Sequence, residues 1–129
     1  MKRIHHVGIL VRSIAEMLPV YTELLGLEAD APFELPEQQV RAVFLRAGDD
    51  CLELLEPLTP DCRLGQVLAK RGEGLLHLCF EVDDLERSLR RLEAKGVKLV
   101  DSHGWRSPIG LVAFLHPRSL HGVSVELRQ

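Results

Sequence analysis

No run of apolar residues approaches the roughly 18 that a helix needs to cross a bilayer, so no membrane span is expected. Cysteine is scarce: Cys51, Cys62 and Cys79 form no CxxC pair and cannot all pair with one another. That argues against a disulfide framework and for plain thiols, with Cys51 and Cys79 packed in strands. Basic residues are neither in excess nor clustered. Sixteen Lys and Arg against 19 Asp and Glu leave a formal charge of -3, and no Lys/Arg-rich face offers a nucleic-acid footprint. A signal peptide's apolar core is missing too, because Met1-Lys2-Arg3 leads straight into a histidine-bearing segment, and a cytoplasmic protein is expected. What remains, 46% hydrophobic and 27% charged over 129 residues, suits one compact domain spanning 1–129 with a real core.

The informative presence is a duplication. One stretch reads Ile4-His5-His6-Val7-Gly8-Ile9 and closes with Leu52-Glu53-Leu54-Leu55-Glu56. The other reads Leu75-Leu76-His77-Leu78-Cys79-Phe80 and closes with Val125-Glu126-Leu127. Four landmarks keep nearly one offset: 77 − 6 = 71 for the histidines, 83 − 13 = 70 for Ser13 and Asp83, 96 − 26 = 70 for Gly26 and Gly96, and 126 − 53 = 73 for the glutamates. One register therefore serves two modules, the first about 2–57 and the second about 75–129, joined by a connector over 58–74.

Each module reads as β-α-β-β-β. Residues 4–11 form a strand, and Ser13 with Glu16 three positions on is a capping box opening a helix that Gly26 ends in the left-handed C′ position. Pro19 falls inside that helix, where its missing N–H must kink it or shift its start. Extended stretches near 27–34, 40–47 and 51–56 follow. The second module has a strand over 75–82 and a helix opened by Asp83 or Asp84 and closed by Gly96. Strands follow near 97–101, 110–115 and 122–128. The connector holds a short helix around Leu64–Lys70 and the Gly72-Glu73-Gly74 turn, and is placed to serve as a lid over a site.

Alternation decides where side chains point. His5, Val7, Ile9 and Val11 share one strand face, and His6 with Gly8 takes the other. Likewise Leu76, Leu78, Phe80 and Val82 oppose His77 and Cys79, while Glu53 and Glu126 oppose their leucine and valine neighbours. All four groups leave the face away from the helix-packed core. The expected fold is α+β: two tandem βαβββ modules forming a cup-shaped mixed sheet around a metal site. Two imidazoles and two carboxylates suit a borderline divalent ion such as Zn, Co, Ni, Mn or Fe(II), with open positions in five- or six-coordinate geometry.

The chain also resembles the vicinal oxygen chelate (glyoxalase/bleomycin resistance) superfamily, and within it the methylmalonyl-CoA epimerase family. The matching stretches are His6-Val7-Gly8-Ile9, Tyr21 through Leu27, Leu35-Pro36-Glu37-Gln38, Glu53 through Pro57, Lys70 through Gly74, Phe80 through Asp84, and Phe114-Leu115-His116-Pro117 with Gly122 through Leu127. The resemblance implies His6, Glu53, His77 and Glu126 as metal ligands, a divalent ion with Co foremost, a small acyl-CoA substrate, a homodimer, and interconversion of (R)- and (S)-methylmalonyl-CoA through an enolate. Inversion needs acid/base groups at both faces; Glu126 is the first choice and Glu53 the second. Some members carry a further basic glutamate in the third strand, where this chain has Ala42.

Glyoxalase I-like lactoylglutathione lyase is the nearest alternative, with the same fold and a similar ligand set. An Fe(II) oxygenase and a non-catalytic ligand-binding member follow. Among the other polar residues, His116 and Arg118 read as a turn or an anion contact, His103 and Trp105 as a loop near the cup mouth. Lys70 and Arg71 read as a helix C-terminal cap, and His5 and His121 as structural or exposed.

Overall fold

A computed structural model describes all residues, 1–129, and its backbone divides into two compact units, Val7–Leu76 and Met1–His6 with His77–Gln129. No helix is long and apolar enough to cross a membrane.

In the unit Val7–Leu76, strand β1 (Ile4–Leu10, of which Val7–Leu10 lie here) runs parallel to β5 (Asp50–Pro57), with Gly8 opposite Glu53. Strand β4 (Val40–Ala47) pairs antiparallel with β5, and β2 (Glu28–Ala29) and β3 (Phe33–Leu35) both pair with β4. The stretch expected over 27–34 is thus two short pieces sharing one edge. Helix α1 (Ile14–Pro19) starts at Ser13, whose Oγ accepts the Glu16 amide at 3.2 Å, as the capping box requires. Pro19 ends the α register. Having no N–H, it cannot donate along the helix, and Val20–Leu24 continues as a π turn in which the Leu25 amide donates to the Val20 carbonyl. One face of the sheet buries Val11, Ile14, Val43, Leu45 and Leu54 against Met17, Leu18 and Tyr21; the other packs Val40, Ala42 and Leu55 with Phe33, Leu64 and Leu76. Helix α2 (Arg63–Arg71) lies in the connector, N-capped by the Cys62 thiol, and ends in Lys70 and Arg71.

In the other unit, β6 (Gly74–Glu81) runs parallel to β9 (Ser124–Arg128), with Cys79 opposite Glu126, and β8 (Gly110–Leu115) pairs antiparallel with β9. The first residues of the chain lie alongside β6: the Lys2 amide donates to the Glu81 carbonyl and the Glu81 amide to the Arg3 carbonyl. Asp84, not Asp83, caps helix α3 (Leu85–Ala94) through its side chain, which accepts the Arg87 amide at 2.8 Å. Leu85 and Leu89 of α3 are completely or almost completely buried with Val82, Ala113, Leu115, Val125 and Leu127, each leucine contributing about 2 kcal/mol of transfer free energy.

The strand expected at 97–101 is corrected. That segment makes one isolated bridge, Leu99 to Leu115, and the strand β7 is Trp105–Ser107, antiparallel to β8. The physical cause is Asp101, whose Oδ2 accepts the Phe114 amide at 2.8 Å and so takes a donor that a backbone ladder would use. The edge of β8 is therefore shared by two short pieces, just as β4 is shared by β2 and β3. The duplication extends to this detail.

Candidate metal centre

Two parallel strand pairs place the four predicted residues in equivalent ways. In β1 and β5, Glu53 stands opposite Gly8, two residues beyond His6; in β6 and β9, Glu126 stands opposite Cys79, two residues beyond His77. Since laterally paired residues share a face and residues two apart share it too, each histidine and its glutamate emerge on one side. Each glutamate also has a phenylalanine across the antiparallel pair, Phe44 for Glu53 and Phe114 for Glu126. These are 114 − 44 = 70 residues apart, a fifth landmark of the repeat that the sequence reading passed over.

His6, Glu53, His77 and Glu126 are buried, at 1%, 5%, 4% and 5% exposure, in a chain whose other acidic and histidine side chains reach solvent at least in part. The four are a group able to hold a metal ion. The tightest part is the trio His6, His77 and Glu126. His6 Nε2 lies 2.9 Å from His77 Nε2, and Glu126 Oε2 lies 3.3 Å from the first and 3.1 Å from the second. Hydrogen bonds alone do not satisfy this triangle. If both rings donate Nε2–H to the carboxylate, two donors face each other across 2.9 Å; if one ring donates to the other, a carboxylate contact loses its proton. Three lone pairs turned toward one cation remove the conflict. Two ligands about 2.1 Å from an ion are about 3.0 Å apart at right angles and about 3.4 Å apart at a tetrahedral angle. The observed separations average near the right-angle value, so the residues fit an ion with six-coordinate preferences and positions left for water or substrate.

Burial works to raise the Glu126 carboxyl, but hydrogen bonds from His6 and His77 and their charge outweigh it and pull it from 4.5 down to about 2. Glu126 is ionised, as a ligand must be. Phe114 packs its ring edge-on to His77 with centroids 5.5 Å apart, giving that imidazole an apolar wall.

His5 is not the bystander the sequence suggested. Its ring is half-buried, and its Nδ1 sits 2.9 Å from His6 Nδ1. Burial, then the neighbouring His6, Arg128 and Arg3, push its pKa from 6.5 to about 4, so it is neutral at pH 7. Alternation pointed His5 away from His6 and carried no sign of this contact; the doubled histidine itself was the available signal.

The remaining predicted polar residues are structural in this geometry. His116 accepts the Arg118 amide at 3.1 Å and opens a 3-10 turn at Pro117–Leu120, and His121 adopts a left-handed conformation at its end. His103 lies 3.4 Å from Glu86, and Trp105 Nε1 donates to Asp101. Arg71 donates to the Leu75 carbonyl, tying α2 to β6. Cys62 caps α2, Cys51 and Cys79 lie in β5 and β6, and no disulfide joins the three. Ala42, fully buried on the site face of β4 beside Leu55, brings no carboxylate there.

Paired βαβββ halves with a buried two-histidine, two-glutamate set define a metal-chelating protein of the vicinal oxygen chelate type. The chain belongs to the Glyoxalase/Bleomycin resistance protein/Dioxygenase superfamily, whose family model matches residues 5–115. It is 38% identical to an uncharacterized protein of Bacillus subtilis over 98% of this chain and 91% of that one. It is 34% identical to the mitochondrial methylmalonyl-CoA epimerase of Bos taurus, over 98% of this chain and 74% of the relative. Among solved structures, Streptomyces coelicolor methylmalonyl-CoA epimerase in complex with 2-nitronate-propionyl-CoA superposes with a TM-score of 0.92 at 33% identity, covering 98% of this chain and 93% of that one. By these relationships the chain is an isomerase resembling the methylmalonyl-CoA epimerases.

Proposed function

We propose that the chain is a metal-dependent epimerase that interconverts (R)- and (S)-methylmalonyl-CoA, with His6, Glu53, His77 and Glu126 as ligands. The observation that carries this reading is the convergence of His6, His77 and the ionised Glu126 at about 3 Å. A divalent ion, with Co foremost, supplies positive charge against the enolate oxygen and the substrate carboxylate as the α-proton leaves.

The chain's own part is proton transfer. Glu126 takes the C2 proton while the C2–H electron pair moves into the thioester carbonyl, and a proton returned to the opposite face of C2 completes the inversion. Both histidine contacts of Glu126 fall on Oε2. Oε1 is the oxygen assigned to the proton, because the histidine contacts hold Oε2 in the ligand position and lower its basicity. Glu53, equivalent in register, is assigned to the other face, since the site face of β4 carries Ala42 where a separate base stands in some members. The resemblance further implies a homodimer acting in the cytoplasm.

The test offers the metal-loaded protein two substrates, (S)-methylmalonyl-CoA and the methylglyoxal–glutathione hemithioacetal. Conversion of the first to its epimer with no turnover of the second is the expected result. The reverse would replace this reading with a lactoylglutathione lyase, and tight binding without turnover of either would make the chain a ligand-binding member.

A further inference from the structure

We propose that His5 is a positioning residue for the metal centre: its Nδ1 accepts the Nδ1 proton of His6 across 2.9 Å and thereby holds the His6 Nε2 lone pair toward the ion. This rests on the reading of His6 as a ligand. An imidazole that binds a cation through one nitrogen keeps its proton on the other, and the partner of that proton fixes both tautomer and ring direction. For His6 the inward nitrogen is Nε2, which faces His77 Nε2 and Glu126 Oε2. Its outward nitrogen, Nδ1, faces His5 Nδ1.

Two Nδ1 atoms at hydrogen-bond distance share one proton, so one donates and the other accepts. Were His5 the donor, His6 would present an Nε2–H to two groups arranged around a cation and could not bind it. Ligation therefore leaves one assignment: His6 donates, and His5 accepts in the tautomer protonated at Nε2. The two rings stand at 80° with centroids 5.2 Å apart, so the His5 lone pair lies near the edge of the His6 ring, not over its face. Carboxylates and backbone carbonyls usually fill this role. A neutral imidazole is a weaker acceptor, which leaves His6 less basic than a carboxylate would and makes the position improvable by a single substitution.

The experiment measures zinc affinity by competition with a chromophoric chelator for wild type, His5→Phe and His5→Asp, with long-range ¹H–¹⁵N NMR of the zinc-loaded wild type. Expected are a loss of about 10–100-fold for His5→Phe, affinity at or above wild type for His5→Asp, and a His6 ring protonated at Nδ1 with Nε2 on the metal. Affinity of His5→Phe within about twofold of wild type, equal losses in both variants, or a His6 ring bound through Nδ1 would each overturn the proposal. If His5→Phe fails to fold, His5→Asp and the wild-type NMR still decide. Wild type that binds no zinc would instead remove the ligand reading itself, an outcome distinct from tight zinc binding indifferent to position 5.

Discussion

Glu126→Gln keeps the shape of the side chain and removes its charge, so it isolates what the carboxylate does between two buried imidazoles. The fall of its pKa from 4.5 to about 2 corresponds to about 3 kcal/mol of preference for the ionised form in the folded state. A carboxyl depressed by folding binds fewer protons folded than unfolded. Its stabilisation is therefore present above the unfolded value, near 4.5, and is lost as pH falls through about 2. In the metal-free proteins at pH 7, wild type should exceed Glu126→Gln by about 2–3 kcal/mol, a shift of about 1–2 M in the urea midpoint for a chain of this size. Urea unfolding followed by circular dichroism in EDTA, repeated between pH 7 and 2, measures the gap and its closure in acid. Equal midpoints at pH 7, or a gap that persists at pH 2, would refute the electrostatic account. Turnover of the metal-loaded variant should fall by at least about 100-fold; full turnover with metal bound would show that Glu126 is not the base.

Stripping divalent ions with a chelator should abolish turnover and lower the melting temperature, and added Co(II) should restore both; a stable, active stripped protein contradicts the ligand set. In that stripped protein, His5 loses protons on folding because its pKa falls from 6.5 to about 4, so stability should decline as pH drops from about 6.5 to 4. With half the ring in solvent the effect is about 1 kcal/mol, and His5→Phe should flatten the profile over that range in calorimetric scans. Gly65→Ala in α2 puts a Cβ 2.4 Å from the Thr59 carbonyl oxygen and 2.6 Å from that of Pro60, both backbone atoms. It should cost more than about 2 kcal/mol in thermal unfolding, and a melting point within a degree of wild type would show that the connector shifts freely.

The parts of the fold that were legible are those fixed by local chemistry. Ser13 and the Asp83/Asp84 pair announced helix starts, Gly26 and Gly96 announced ends, and both glycines have the positive φ that ending requires. Period-two alternation then put His6, His77 and both glutamates on the face away from Leu54 and Leu127, and the constant offset paired them. What was not legible depends on contacts made in three dimensions. Asp101 diverts the Phe114 amide, so 97–101 holds only a bridge; Pro19 leads into a π turn, not a simple kink. The His5 contact runs between neighbours that alternation sends to opposite faces.

The most direct test of the central claim is proton NMR of methylmalonyl-CoA in D₂O with the metal-stripped protein, before and after adding Co(II). The account predicts no exchange at first, then α-proton washout accompanied by epimer conversion once the ion is present. Protein shown to bind the ion that produces neither exchange nor conversion with any divalent metal would contradict it.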